Sequence, residues 1–184
     1  MNGPLLWADL LADCPKRAVL MGGAVVDYVA AQWGVGNGEP KDYDIFYPYK
    51  PGLPDMPEGW EYQVPDVAEA AHQAEYVADV DHKHPIGAVY TYKVGFLKVQ
   101  LIGLMLPDPR DYFKMFDHSL TLGYYTKSGM FVHKRVFDSL VNQQITFVAK
   151  DRGPKQKIKS YKRAINKLEH YHADLHEWEL IGFE

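Results

Sequence analysis

The stretch "LMGGAVVDYVAAQWGVGNGEPKDYDIFYPY", residues 20–49, sets two glycines before a helical pattern and two aspartates, one residue apart, before an apolar run. Leu20 and Met21 close the apolar segment "RAVLM", residues 17–21, which predicts a short strand that turns at Gly22-Gly23. From Ala24 to Trp33 the apolar positions Val25, Val26, Val29 and Trp33 fit one helical face, and "GVGNGEPK" ends the helix with loop residues. The following "DYDIFYP" alternates as a strand. Asp42, Asp44 and Phe46 then share one face, and Tyr43, Ile45 and Tyr47 share the other.

That alternation gives the aspartates a common direction. Two carboxylates converging from one strand face suit a hard cation such as Mg²⁺, with Mn²⁺ as an alternative, because such ions take oxygen ligands and bridge substrate phosphates. The glycine turn adds a second element, since backbone N–H groups at a helix start favour anions and a residue without Cβ lets phosphate come close. A second D-x-D, Asp79 and Asp81, lacks this context: Lys83 and Pro85 follow it, and no glycine turn precedes it.

Working outward, residues 4–13 predict an amphipathic helix that ends at Cys14-Pro15, interrupted by too many acids to be a signal peptide. A Pro-rich connection, "PYKPGLPDMPEGW", leads to a predicted helix over "DVAEAAHQAEYVADV". "IGAVYTYKV" and "FLKVQLIGLM" read as a hairpin turning near Gly95, with Lys98, Gln100 and Ile102 on one face and Leu97, Val99 and Leu101 on the other. A short helix at "PDPRDYFKMF", paired strands "HSLTLGYYT" and "MFVH", a helix at "KRVFDSLVN" and the apolar "ITFVA" come next. Residues 154–178 predict one long helix. The pattern favours a small mixed-sheet α/β or α+β domain with a C-terminal helix, and the expectation is an α+β fold, a small mixed sheet with helices packed on it. Residues 1–150 are expected to form the main domain and 151–184 a basic helical segment packed on it.

Composition narrows the partners. With 47% hydrophobic residues the chain can bury a sizeable core, and a net charge of −4 argues against a surface that binds polyanions all round. Lys150, Arg152, Lys155, Lys157, Lys159, Lys162, Arg163 and Lys167 form a local basic run that suits phosphates or RNA, or else a solvated helix entrance. No stretch approaches membrane-spanning length, and the lone Cys14 points to the reducing cytoplasm. The pairs His82/His84 and His172/His176, the latter with Glu169, read as exposed polar positions rather than metal sites.

The glycine turn and the acid pair together, "GGAVVD" at Gly22–Asp27 and "KDYDIF" at Lys41–Phe46, resemble the polymerase-β-like nucleotidyltransferase superfamily, most closely the head domain of CCA-adding enzymes and poly(A) polymerases. The resemblance implies Mg²⁺ held by Asp42 and Asp44, which would be both metal ligands and catalytic residues. Gly22, Gly23, Lys41 and Arg163 would bind a nucleoside triphosphate. The implied reaction moves a nucleotidyl group from the NTP to a hydroxyl of RNA, a protein or a small molecule. Two departures stand out. Where such enzymes carry a third carboxylate on a later strand, the matching strand centre is Gln100, with Asp108, Asp111 and Asp117 as other acids within the following segment. Val26 stands where the related pattern has arginine. An amide oxygen brings neither charge nor a proton-accepting group, so the alternative expectation is a catalytically degenerate protein of this fold that binds nucleotide, nucleic acid or a protein.

Overall fold

The computed structural model describes residues 2–77, 85–149 and 153–184; Asp79, Asp81, His82, His84, Lys150 and Arg152 lie outside the described residues. The chain opens with α1 (Pro4–Asp13), where Trp7, Leu10 and Leu11 are buried at helical spacing. The segments read from residues 20–49 then follow as β1 (Val19–Met21), α2 (Gly23–Gln32) and β2 (Tyr43–Pro48). Next come β3 (Trp60–Gln63), α3 (Val67–Val77), β4 (Ile86–Val94) and β5 (Leu97–Leu104). A 3-10 turn spans Pro109–Met115, and a second covers Ser119–Thr121. The chain finishes with β6 (Gly123–Thr126), β7 (Gly129–Val132), α4 (Lys134–Asn142), β8 (Gln144–Thr146), α5 (Pro154–His170) and β9 (Glu179–Ile181).

Seven strands form one sheet in the order β3-β4-β5-β2-β1-β6-β7. Only β2 and β5 pair in parallel within it; the other neighbours are antiparallel, so the sheet is mixed. The side-chain period of two divides it cleanly. Tyr43, Ile45, Tyr47, Val99 and Leu101 pack beneath α1 and α2 with Trp7, Leu10 and Val25, while Phe46, Ile102 and Leu104 face the opposite side with Tyr112 of the first 3-10 turn. Gly123 has to be glycine, because a Cβ there would meet Val25 Cγ1 at 2.9 Å, where α2 crosses β6.

The C-terminal region departs from the single long helix expected. α5 stops at His170, and His172 takes a left-handed φ of 54° before the chain returns as β9 to pair in parallel with β8. Two tertiary contacts fix that stop: Tyr171 packs where a Cβ on Gly36 would meet its ring at 2.8 Å, and its hydroxyl donates to Asp27. Glu169, His172 and His176 therefore do not continue along one helical face. Ser160, Ala164 and Leu168 form the buried stripe of α5, against a core shared with α2 and α4. Of the stretch expected as strand from His118, only His118 makes an isolated bridge, to Phe147, before Ser119–Thr121 form the second 3-10 turn and β6 begins at Gly123. Among the described residues no helix is long and apolar enough to cross a membrane.

Candidate active site

Asp42 stands one residue before β2 and Asp44 within it, and the extended spacing brings both to the same place. Both line a cleft of about 510 Å³ on the sheet face opposite α1, together with Phe46 of β2 and Lys98, Gln100 and Ile102 of β5. The parallel pairing of β2 with β5 sets Gln100 directly beside Asp44, and Thr91 of β4 follows Gln100 in the same row. Glu69, His72 and Gln73 of α3 line another wall; Tyr112, Met115, Phe116, Asp117 and Arg163 also border the cleft. α3 is tied across the cleft by polar contacts, with Glu69 accepting from Thr91 Oγ1 at 3.4 Å and standing 3.9 Å from Lys98 Nζ. At its other end Glu75 pairs with Lys159 of α5 at 3.5 Å.

The acid pair is electrostatically costly. Burial, then the Asp42 charge, push the Asp44 carboxyl up to about 8, with Lys98 and Lys167 opposing. Burial likewise raises Asp42, again opposed first by Lys98. Asp44 Oδ1 is shielded from solvent and has no hydrogen-bond partner among the described residues. Two neighbouring carboxylates with an orphaned oxygen fit a hard divalent cation, whose charge would offset the repulsion. A cage made wholly by the protein does not form, since among the described residues no group of three or more His, Cys, Asp or Glu side chains converges.

Each alternative third acid is either engaged elsewhere or remote from the cleft. Asp117 lines the cleft, but its carboxylate pairs with Arg163 and accepts from Ser160 Oγ at 2.7 Å. Asp108 caps the first 3-10 turn, accepting from Arg110 N at 3.0 Å and pairing with the Arg110 guanidinium at 2.7 Å. Asp111 is exposed on that turn and does not border the cleft. Gln100 alone flanks Asp44 on β5, as its register requires.

A second, smaller recess of about 170 Å³ meets the cleft at Asp42 and Arg163. Gly23, Lys41, Asn166, Lys167 and His170 line it with Asp27, His118 and Thr121. The first amides of α2 have no intrahelical acceptor, and the N-cap Gly22 offers no side chain to cap them. Lys167 stands over that helix start, 3.3 Å from where a Cβ on Gly23 would be. Gly22 itself serves the turn: its φ is 90°, and its N–H donates to Gly123 O at 2.8 Å. Of the residues expected to contact a nucleotide, Gly23, Lys41 and Arg163 border the recess, whereas Gly22 does not. Val26, in the place of an arginine, is fully buried in the core beneath β6.

Beneath the recess lies a buried charge network. Asp27 pairs with Lys167, accepts from Tyr171 Oη at 2.8 Å and lies 3.6 Å from His170 Nε2. His118 is held neutral, because burial pulls its imidazole down to about 4, and its Nδ1 lacks a partner among the described residues. The sequence singles out Arg163 as a nucleotide contact but leaves Lys167 undistinguished within the basic run. Their helical spacing with Asn166 and His170, i, i+3, i+4 and i+7, is the signal that groups them on one face.

Comparison with known proteins agrees with the fold. No model of a known protein family matches the sequence, and no curated protein matches it. Among solved structures, a tRNA-processing enzyme in its apo form superposes with a TM-score of 0.51 at 13% identity, over 98% of this chain and 45% of the other. A tRNA-processing enzyme with CTP (TM-score 0.44, 14% identity, 89% of this chain and 39% of the other) and a CCA-adding enzyme with ATP (0.45, 11%, 89% and 34%) are more distant. The chain thus spans less than half the length of these proteins. The expected α+β fold, a mixed sheet with helices packed on it and a C-terminal helix, is the one the chain adopts, and it resembles that of the apo tRNA-processing enzyme.

Proposed function

We propose that this protein transfers a nucleotidyl group from a nucleoside triphosphate to a hydroxyl acceptor. The observation that carries the reading is the junction at Asp42, where an acid pair with an unsatisfied oxygen meets a recess headed by a helix N-terminus and lined by Lys41, Lys167 and Arg163. Anionic phosphates are stabilised at such a helix start and by those cations. In this reading Gly23 permits close approach of the phosphates, Gly22 shapes the turn, and Lys41, Lys167 and Arg163 neutralise the departing pyrophosphate.

Asp42 and Asp44 would hold Mg²⁺ or Mn²⁺, which when bound supplies positive charge to the reacting phosphate and favours the ionised hydroxyl. Those two carboxylates also offer the acceptor proton a place to go. Incubation with each α-labelled NTP, Mg²⁺ or Mn²⁺ and pooled RNA, protein and small-molecule acceptors tests the reaction. Label transfer that disappears in Asp44→Ala supports it; no transfer to any pool, with cellular function intact in the Asp42→Ala, Asp44→Ala double variant, overturns it.

Gln100 supports a second reading, a nucleotide-binding protein of this fold without transfer activity, because the residue flanking Asp44 is an amide and not an acid. NTP binding in the absence of any transfer distinguishes it.

A further inference from the structure

The cleft beyond the acid pair differs in chemistry from the recess. Phe46, Val89, Ile102, Tyr112 and Phe116 give it an extensive apolar wall, and Phe46 with Tyr112 and Phe116 is an aromatic cluster with ring centroids 5.2–6.2 Å apart. Its volume, about 510 Å³, falls in the range of pockets that enclose a small organic molecule. Its charged groups are Asp42, Asp44, Glu69 and Asp117 against Lys98 and Arg163, and both cations already face carboxylates. Apart from the acid pair that would hold the cation, Glu69 and Asp117 balance Lys98 and Arg163, so the cleft offers a polyanion no net positive charge.

On α5, Lys157 donates to Glu184 O at 2.8 Å and Lys159 pairs with Glu75, away from the cleft lining, while Arg163 and Lys167, beside Asp117 and Asp27, border the recess.

In-line displacement at phosphorus brings the attacking oxygen to the side opposite the leaving group. With the pyrophosphate in the basic recess, the attacking hydroxyl comes from the cleft. We propose that the acceptor is a small uncharged alcohol carried on an aromatic body, seated against Phe46, Phe116 and Ile102, rather than a nucleic-acid end. This rests on the nucleotidyl-transfer reading above. The alcohol oxygen forms the new bond to the α-phosphorus, the bond from that phosphorus to the bridging oxygen breaks, pyrophosphate leaves with the bond electrons, and the alcohol proton passes to the Asp42–Asp44 pair.

Naphthalenemethanol is the probe, with titration calorimetry and label transfer from α-labelled ATP as separate readouts. Val89 is half-buried on β4, lines the cleft and packs against the cluster of Phe46, Ile102 and Tyr112, so Val89→Trp narrows the cleft, and an unchanged urea midpoint shows that the variant keeps its fold. The variant is expected to weaken naphthalenemethanol binding by about tenfold or more while ATP affinity stays within about twofold, and ATP and the probe are expected to bind together. Naphthalenemethanol binding unchanged in Val89→Trp, mutual exclusion of probe and ATP, or labelling of an oligoribonucleotide without labelling of the alcohol would each overturn the acceptor assignment. Absence of ATP binding to the wild-type protein would instead overturn the nucleotidyl-transfer reading.

Discussion

Asp44 and Gln100 are direct partners across the parallel strands β2 and β5, so the group beside the buried carboxylate is an amide. An acid placed there would add charge to a pair that already repels. Gln100→Glu is therefore expected to raise Mn²⁺ affinity by about tenfold, measured by calorimetry, while lowering the stability of the metal-free protein by about 1–3 kcal/mol in urea. Equal Mn²⁺ affinity in the two proteins would show that position 100 does not reach the ion.

The unpaired burial of Asp44 predicts a stabilising substitution. Its pKa of about 8 lies above the ordinary carboxylate value, so the folded state binds the proton more tightly than the unfolded chain. The resulting stabilisation is complete below the unfolded value near pH 4 and is lost as pH rises through about 8. Asp44→Asn removes that loss. In chelator at pH 8 it should raise stability by roughly 1–2 kcal/mol, a Tm gain of about 2–8 °C for a chain of this size. Added Mg²⁺ should raise the wild-type Tm more than that of the variant. A variant Tm below wild type in chelator at pH 8 would contradict the assigned burial cost.

His118 predicts the opposite slope. Its pKa of about 4 is below the ordinary imidazole value, so the folded state resists protonation. Stability is unaffected above pH 6.5 and falls as pH drops from there toward 4. In an NMR titration its ring protons should keep neutral-state shifts at about pH 5.5, where an exposed histidine is largely charged. Titration near 6.5 would place the ring in solvent.

Asp27 anchors α2 to the end of α5 through Lys167 and Tyr171. Removing the carboxylate strands a nearly buried ammonium. Asp27→Ala should cost about 3–5 kcal/mol, read by urea denaturation, whereas Ser160→Ala, which deletes a single hydrogen bond to Asp117, should cost about 1 kcal/mol. Similar small losses in both would mean that the network carries little of the docking of α5.

Local periodicity was enough for much of the architecture. Residues 17–47 contain their own turn, helix spacing and strand alternation, so the common face of Asp42 and Asp44 follows from the two-residue period of a strand and needs no partner. The same holds for the hairpin at Gly95, and for Lys98, Gln100 and Ile102 sharing a face.

What no local pattern contains is which distant segments meet. The parallel register of β2 with β5 spans the whole of β3, α3 and β4, and it alone sets Gln100 beside Asp44. Asp117 looked available in the sequence, but the packing of α5 gives its oxygens to Arg163 and Ser160. The helical pattern of the tail runs past His170, yet α5 ends there because Tyr171 is committed to Asp27 and Gly36, and the returning chain pairs with β8. Residue spacing determines which side chains share a face, since backbone geometry repeats along every helix and strand. Partners, burial and the charge state of a carboxylate belong to the assembled core, because only there are distant groups brought out of water and held against one another.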